Sequence, residues 1–253
     1  MKRGWPPVTV VVLLLLTWQT GVAVFQVESW LLPSPVEIIK EGYSSFPRLM
    51  MHTGATLKIC IIGFTVGAAC GIAAALLMHL SRPIKAGLAP MLIMTQNIPT
   101  IVLAPLLVVW FGFGLLPKII VIALVCFFPI AVSMMNGLAE TDYSMKSYMR
   151  MIGAGRWQLL LKLELPHSLP YLFSGLRISA TYSVMGAVIS EWLGASSGLG
   201  YYLTLSSSAY RTDRVFAGIF IIVLLSLLLY ALIGVLEKAV IRWNPSRERE
   251  DEA

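Results

Sequence analysis

The sequence predicts an all-helical (all-α) membrane protein of about six spanning helices, with one long polar loop between the fourth and the fifth. Three observations carry that prediction. Of 253 residues, 57% are hydrophobic and 13% charged, about half the charged share of a soluble domain. The apolar residues fall into runs of about 20, the length a helix needs to cross the hydrocarbon layer. The charges sit in short segments between those runs, as topology signals do.

Taken in order, the first run covers residues 8–25 and follows the basic pair Lys2-Arg3. Its layout is that of a signal peptide, but Trp18, Gln19, Val24 and Phe25 offer no small-x-small cleavage site, so a retained first helix is expected. Pro33 and Pro35 then break the chain ahead of a short amphipathic stretch. Further spans are expected at 56–78, 90–113, 118–138, 173–193 and 215–236, making residues 1–253 one membrane domain. Gly114-Leu115-Leu116-Pro117 reads as a tight turn that makes the third and fourth spans neighbours. Gly67 and Gly71, four residues apart, form the small-residue face that lets helices approach closely.

Orientation follows from the basic residues. With the N-terminus inside, the cytoplasmic side receives thirteen lysines and arginines and the opposite side six. Both termini, and the loop 139–172, are therefore expected in the cytoplasm. The segment 194–214, rich in Ser, Gly and Tyr, reads as an outer loop near the solute entrance.

The net charge of +6 is spread along the chain, so no nucleic-acid partner is expected. Cys60, Cys70 and Cys126 lie in apolar stretches without a CxxC pair and read as small buried hydrophobes. His52, His79 and His167 are scattered, and no metal or cofactor site is expected. The chain lacks the Gly-rich, Lys-bearing loop that cradles phosphates, so it should not bind ATP itself. A membrane enzyme would need clustered ionisable groups at membrane depth, and none emerges. A free-standing carrier or channel would leave the long polar loop unexplained.

That loop contains MRMIGAGRWQLLLKLELPHSLP from Met149. Residues 142–152 and 155–165 each read as a short helix, with Gly153 at the junction supplying a turn. Trp157, Leu160, Leu161 and Leu165 recur at roughly helical spacing, Arg156, Gln158 and Lys162 are polar, and Pro166 is expected to end the second helix. Periodicity alone leaves three readings open: an interfacial anchor, a loop folded on itself, or a docking element.

Gly153, nine residues, then Leu163-Glu164-Leu165-Pro166 resembles the cytoplasmic loop of permease subunits of binding-protein-dependent ABC importers. In that pattern a Glu-Ala-Ala stands four residues before the glycine, where this chain has Ser147, Tyr148 and Met149. The resemblance covers nearly the whole chain. IPTIVLAPLLVVWFGFG from Ile98, FFPIAVSMMNGL from Phe127 and SGLRISATYSVMGAVISEWLGASSGLGYYL from Ser174 look like the aliphatic-sulfonate, taurine, nitrate and thiamine-precursor permeases, with riboflavin a further alternative solute. The wording YSVMGAVISEWLG leans toward the thiamine pyrimidine-precursor branch.

The resemblance implies a type I importer fold, in which a helix of the loop couples the permease to a separate ATPase subunit. It places Gly153, Ala154, Arg156 and Trp157 at the ATPase-facing tip, with Leu163, Leu165 and Pro166 completing the motif. It also implies an extracytoplasmic solute-binding protein, a second permease copy forming a homodimer, and the bacterial inner membrane. Candidates for the solute path are Gln96, Asn97, Pro99 and Glu191. Asn97 and Gln96 serve equally well as inter-helix hydrogen-bonding amides, and Glu191 ends a span where snorkelling would also fit.

Overall fold

The computed structural model describes residues 5–242, and of 5–8, 95 and 96 the backbone only. Lys2, Arg3 and the acidic tail that starts at Ser246 lie outside the described residues. The described chain is helical throughout: α1 (Trp5–Val24), α2 (Pro35–Ser44), α3 (Phe46–Leu80), α4 (Arg82–Gln96), α5 (Thr100–Phe111), α6 (Leu115–Ala139), α7 (Tyr143–Met151), α8 (Arg156–Leu159), α9 (Leu165–Glu191), α10 (Leu199–Ser208) and α11 (Thr212–Val240). One π turn, Leu160–Glu164, joins α8 to α9.

Among the described residues four helices are long and apolar enough to cross a membrane: Phe46–Leu80, Leu115–Ala139, Arg156–Glu191 and Thr212–Val240. Where the third span is expected there is a shorter apolar helix, Thr100–Phe111, while α1 runs for 20 residues over the expected first span. The expected continuous span 90–113 is broken. Pro99 has no N–H to donate and holds Ile98 out of the α region, so α4 ends at Gln96 and α5 begins at Thr100. The 12 residues of α5 reach only about 18 Å.

The centre of the bundle is built by α3, α6 and α9, with α11 laid against α9. On α6, Ile122, Cys126, Ile130, Met134 and Leu138 recur every four residues and are buried. Glycine makes the α3–α6 contact close. A Cβ on Gly67 would lie 2.7 Å from the Ala123 carbonyl oxygen, and one on Gly63 2.5 Å from the Ile122 Cβ. The α6–α9 seam adds polar stitching, with Ser179 Oγ donating to the Cys126 carbonyl at 3.0 Å. Cys60 and Cys126 are buried here, whereas Cys70 is exposed on the outward face of α3, so the reading of all three cysteines as buried holds for two.

The expected outer loop at 194–214 contains a helix, α10. Its Ser-, Gly- and Tyr-rich composition conceals a start signal that is tertiary, supplied by a carboxylate from α9. At the same end of the bundle α2 begins with a capping box: Glu37 N–H donates to Ser34 Oγ at 3.3 Å, and Ser34 N–H donates to Glu37 Oε2 at 2.9 Å. The Ser34 N–H holds the Glu37 carboxyl below the usual carboxylate range. Glu41 then pairs with Arg211 and Arg214 at 3.1 and 2.8 Å, tying α2 to the start of α11.

Candidate functional site

The polar loop is two helices hinged at one glycine. α7 is capped by Asp142, whose carboxylate accepts from Ser144 N–H at 2.6 Å. It ends in a Schellman turn: Ala154 N–H donates to the Met149 carbonyl at 2.9 Å and Gly153 N–H to the Arg150 carbonyl at 3.0 Å. That turn requires a left-handed residue, and Gly153 has φ +88°. Gln158 then caps the next helix by accepting from Gly155 N–H at 3.0 Å.

Pro166 does not end this second helix. Leu165 N–H reaches back five residues to the Leu160 carbonyl, a wide π turn that absorbs the proline's bulk and missing donor. The helix therefore runs unbroken from Arg156 to Glu191. One stiff element of 36 residues, about 54 Å long, joins the hinge to the far end of the bundle.

The turn exposes a set of large apolar side chains. Met151, Ile152 and Trp157 are 78%, 65% and 64% exposed, around a glycine with no atom within 4 Å of where a Cβ would stand. The helical leucines divide: Leu159 and Leu160 are buried, Leu161 is exposed, and Leu163, Leu165 and Pro166 are half-buried. Leu165 is packed against the main core. Ala154 is half-buried, and the Arg156 guanidinium donates to the Leu80 carbonyl at the C-terminus of α3, where helix geometry leaves carbonyls unpaired.

What fastens the loop to the bundle is Glu164, which the sequence reading passed over. It is 6% exposed, with His79 Nε2 at 2.8 Å and Lys146 Nζ at 3.0 Å. These three come from the π turn, the end of α3 and α7, so one carboxylate joins three elements. The sequence signal was an acid inside an apolar, proline-bounded motif, since a buried carboxylate requires paired charge.

The path candidates are not brought together. The side chain of Gln96 lies outside the described residues. Asn97 is exposed at the α4–α5 break and donates to the Ile93 carbonyl at 2.8 Å; Pro99 opens α5. Glu191 is at 2% exposure and lines no open surface of the chain. Its carboxylate accepts from Thr56 Oγ1 at 2.9 Å and Gly200 N–H at 2.7 Å. Thr56 Oγ1 accepts in turn from Leu199 N–H at 2.7 Å, and His52 Nδ1 from Gly198 N–H at 3.1 Å. Glu191 and Thr56 thus satisfy the first N–H groups of α10 and lock it onto α3 and α9. Gly198 fits only as glycine, because a Cβ there would lie 2.2 Å from the Glu191 carboxyl.

The family model of the binding-protein-dependent transport system inner membrane component matches residues 67–242. The chain belongs to this family. The permease is 35% identical over 248 residues to the formylaminopyrimidine transport permease protein ThiX of Halalkalibacterium halodurans, covering 96% of this chain and 99% of that one. It is 34% identical to the riboflavin transport system permease protein RibX of Chloroflexus aurantiacus, covering 96% and 92%. In fold it matches the MetNI methionine ABC transporter in its inward-facing form, with a TM-score of 0.67 at 22% identity, over 78% of this chain and 98% of that one. The permease is an integral inner-membrane subunit of an ABC importer for small solutes; it works with a solute-binding protein, and ATP is hydrolysed on a separate subunit.

Proposed function

We propose that this permease forms a homodimer, with both termini cytoplasmic, that carries a thiamine pyrimidine precursor or a close heterocyclic analogue. The solute reading is supported by the 35% identity to a formylaminopyrimidine permease across 99% of that protein. Riboflavin is the second reading, supported by a relative at 34%. Residues 1–253 act as one permease domain.

The observation that carries the mechanism is the unbroken helix from Arg156 to Glu191 behind the exposed apolar turn at Gly153. Trp157 and its neighbours bury against a cleft of the ATPase subunit, as aromatic anchors do at interfaces. Gly153 and Ala154 allow close approach, and Arg156 holds the tip to α3. Leu163, Leu165 and Pro166 transmit the push through the π turn into α9. When the ATPase subunits close, the loop moves as a lever and the bundle switches its open side. The solute path runs past the α4–α5 break, where the irregular backbone around Asn97 and Pro99 is of the kind tolerated beside a cavity and Gln96 stands next to them in sequence. Glu191 serves this path at one remove, by fixing α10.

The test is uptake by vesicles holding the permease with its ATPase and binding protein. ATP-dependent accumulation of formylaminopyrimidine, uncompeted by taurine, is expected. Accumulation of riboflavin alone would select the second solute, and downhill flux without ATP would sink the coupling mechanism.

A further inference from the structure

At the foot of the loop, α3, α4, α7 and α8 border an open cavity of about 790 Å³, within the size range of small-ligand sites. Its walls carry the cationic groups of Arg82, Lys146, Arg150 and Arg156, beside His79, against the single carboxylate of Glu164. That carboxylate is already matched, by Lys146 at 3.0 Å and His79 at 2.8 Å. Arg156 is engaged with a backbone carbonyl. Arg82 and Arg150 have no acidic partner among the described residues. Arg82 is also the first residue of α4, so the positive end of that helix meets the cavity. Two unmatched guanidinium forks, an excess of positive charge and a helix start form an environment suited to a tetrahedral oxyanion.

We propose that this cavity binds a phosphate group, carried by the headgroup of an anionic phospholipid or by a free phosphate ion. The surroundings favour the lipid. From the cavity Ile84, Leu88 and Met91 run along one side of α4 and are 37%, 36% and 60% exposed, an apolar track on which acyl chains can lie. A phosphate bridging Arg82 to Arg150 would brace α7 against α4, a second clamp on the loop beside Glu164. Phosphate binding does not depend on which side of the membrane the loop occupies or on which solute is carried.

The experiment uses the full chain in complex with its ATPase, delipidated in neutral detergent, compared with an Arg82→Gln/Arg150→Gln double variant. Both arginines are exposed, so the variant is expected to fold, which retained helical circular dichroism checks. Lys58→Gln, an exposed lysine far along α3, is the charge-loss control. Native mass spectrometry with added phosphatidylglycerol should show one saturable lipid on the wild type and the control. The double variant should bind it roughly 30-fold more weakly, from about 1 kcal/mol per basic group at an anionic surface. Inorganic phosphate, tested by thermal shift, separates the sources: stabilisation of the wild type alone by phosphate, without saturable lipid, assigns a free anion. Equal lipid binding by wild type and double variant, or no response to either probe, would overturn the proposal.

Discussion

A Gly153→Trp variant is expected to insert into the membrane as the wild type does and to lose at least 90% of solute uptake. The two halves of that result have separate causes. No atom lies within 4 Å of a Cβ at this position, so the new side chain starts from open space at the turn and the bundle should stay intact. At φ +88°, however, an L side chain is strained by about 1–2 kcal/mol, which pulls the Schellman turn out of shape. The indole also covers the surface between Met151 and Trp157 that would meet the ATPase. Gly153→Asn separates the causes, since asparagine tolerates left-handed backbone and adds less bulk; it should keep a substantial part of wild-type uptake. Uptake by vesicles, normalised to permease inserted, is the measurement. Normal uptake by the tryptophan variant would remove Gly153 from the coupling tip.

Glu191→Leu is expected to lower the midpoint of thermal unfolding by roughly 5–20 °C and to abolish uptake, whereas Glu191→Gln keeps most of both. Leucine leaves the Gly200 N–H without its acceptor and Thr56 Oγ1 without the group to which it donates. Each buried polar group left unmatched costs about 1–3 kcal/mol, and a kilocalorie is worth about 2–4 °C in a chain of this size. Glutamine retains an oxygen for Gly200, so the α10 start survives. The pairing of a structural readout with uptake distinguishes a lock on α10 from a group that touches solute. A solute ligand would lose uptake in the glutamine variant with the unfolding midpoint unchanged.

Much of this was readable from the sequence because it depends on local rules. The length of the apolar runs locates α3, α6, α9 and α11, and the hinge at Gly153 follows from one glycine between two polar helix patterns. Two of the failures share a cause, a partner distant in sequence. The start of α10 depends on Glu191 and Thr56, the latter 143 residues from the Leu199 N–H it accepts. Glu164 is understood only once His79, 85 residues away, lies beside it. Pro166 predicts a helix stop because proline usually is one, but a π turn just before it removes the conflict. The break at Pro99 is visible in the sequence, yet the hydrophobicity on both sides of it favours a single span.

The central claim is that the Gly153 turn is where this permease meets the subunit that hydrolyses ATP. The most direct test is photo-crosslinking from position 157 in native membranes, with a photoreactive phenylalanine replacing Trp157, followed by mass spectrometry of the adduct. The expected adduct is to an ATPase subunit, absent when the same probe replaces Tyr210, an exposed residue at the opposite end of the bundle. Crosslinks from 157 to lipid alone, with the ATPase recovered only from position 210, would contradict both the docking site and the orientation.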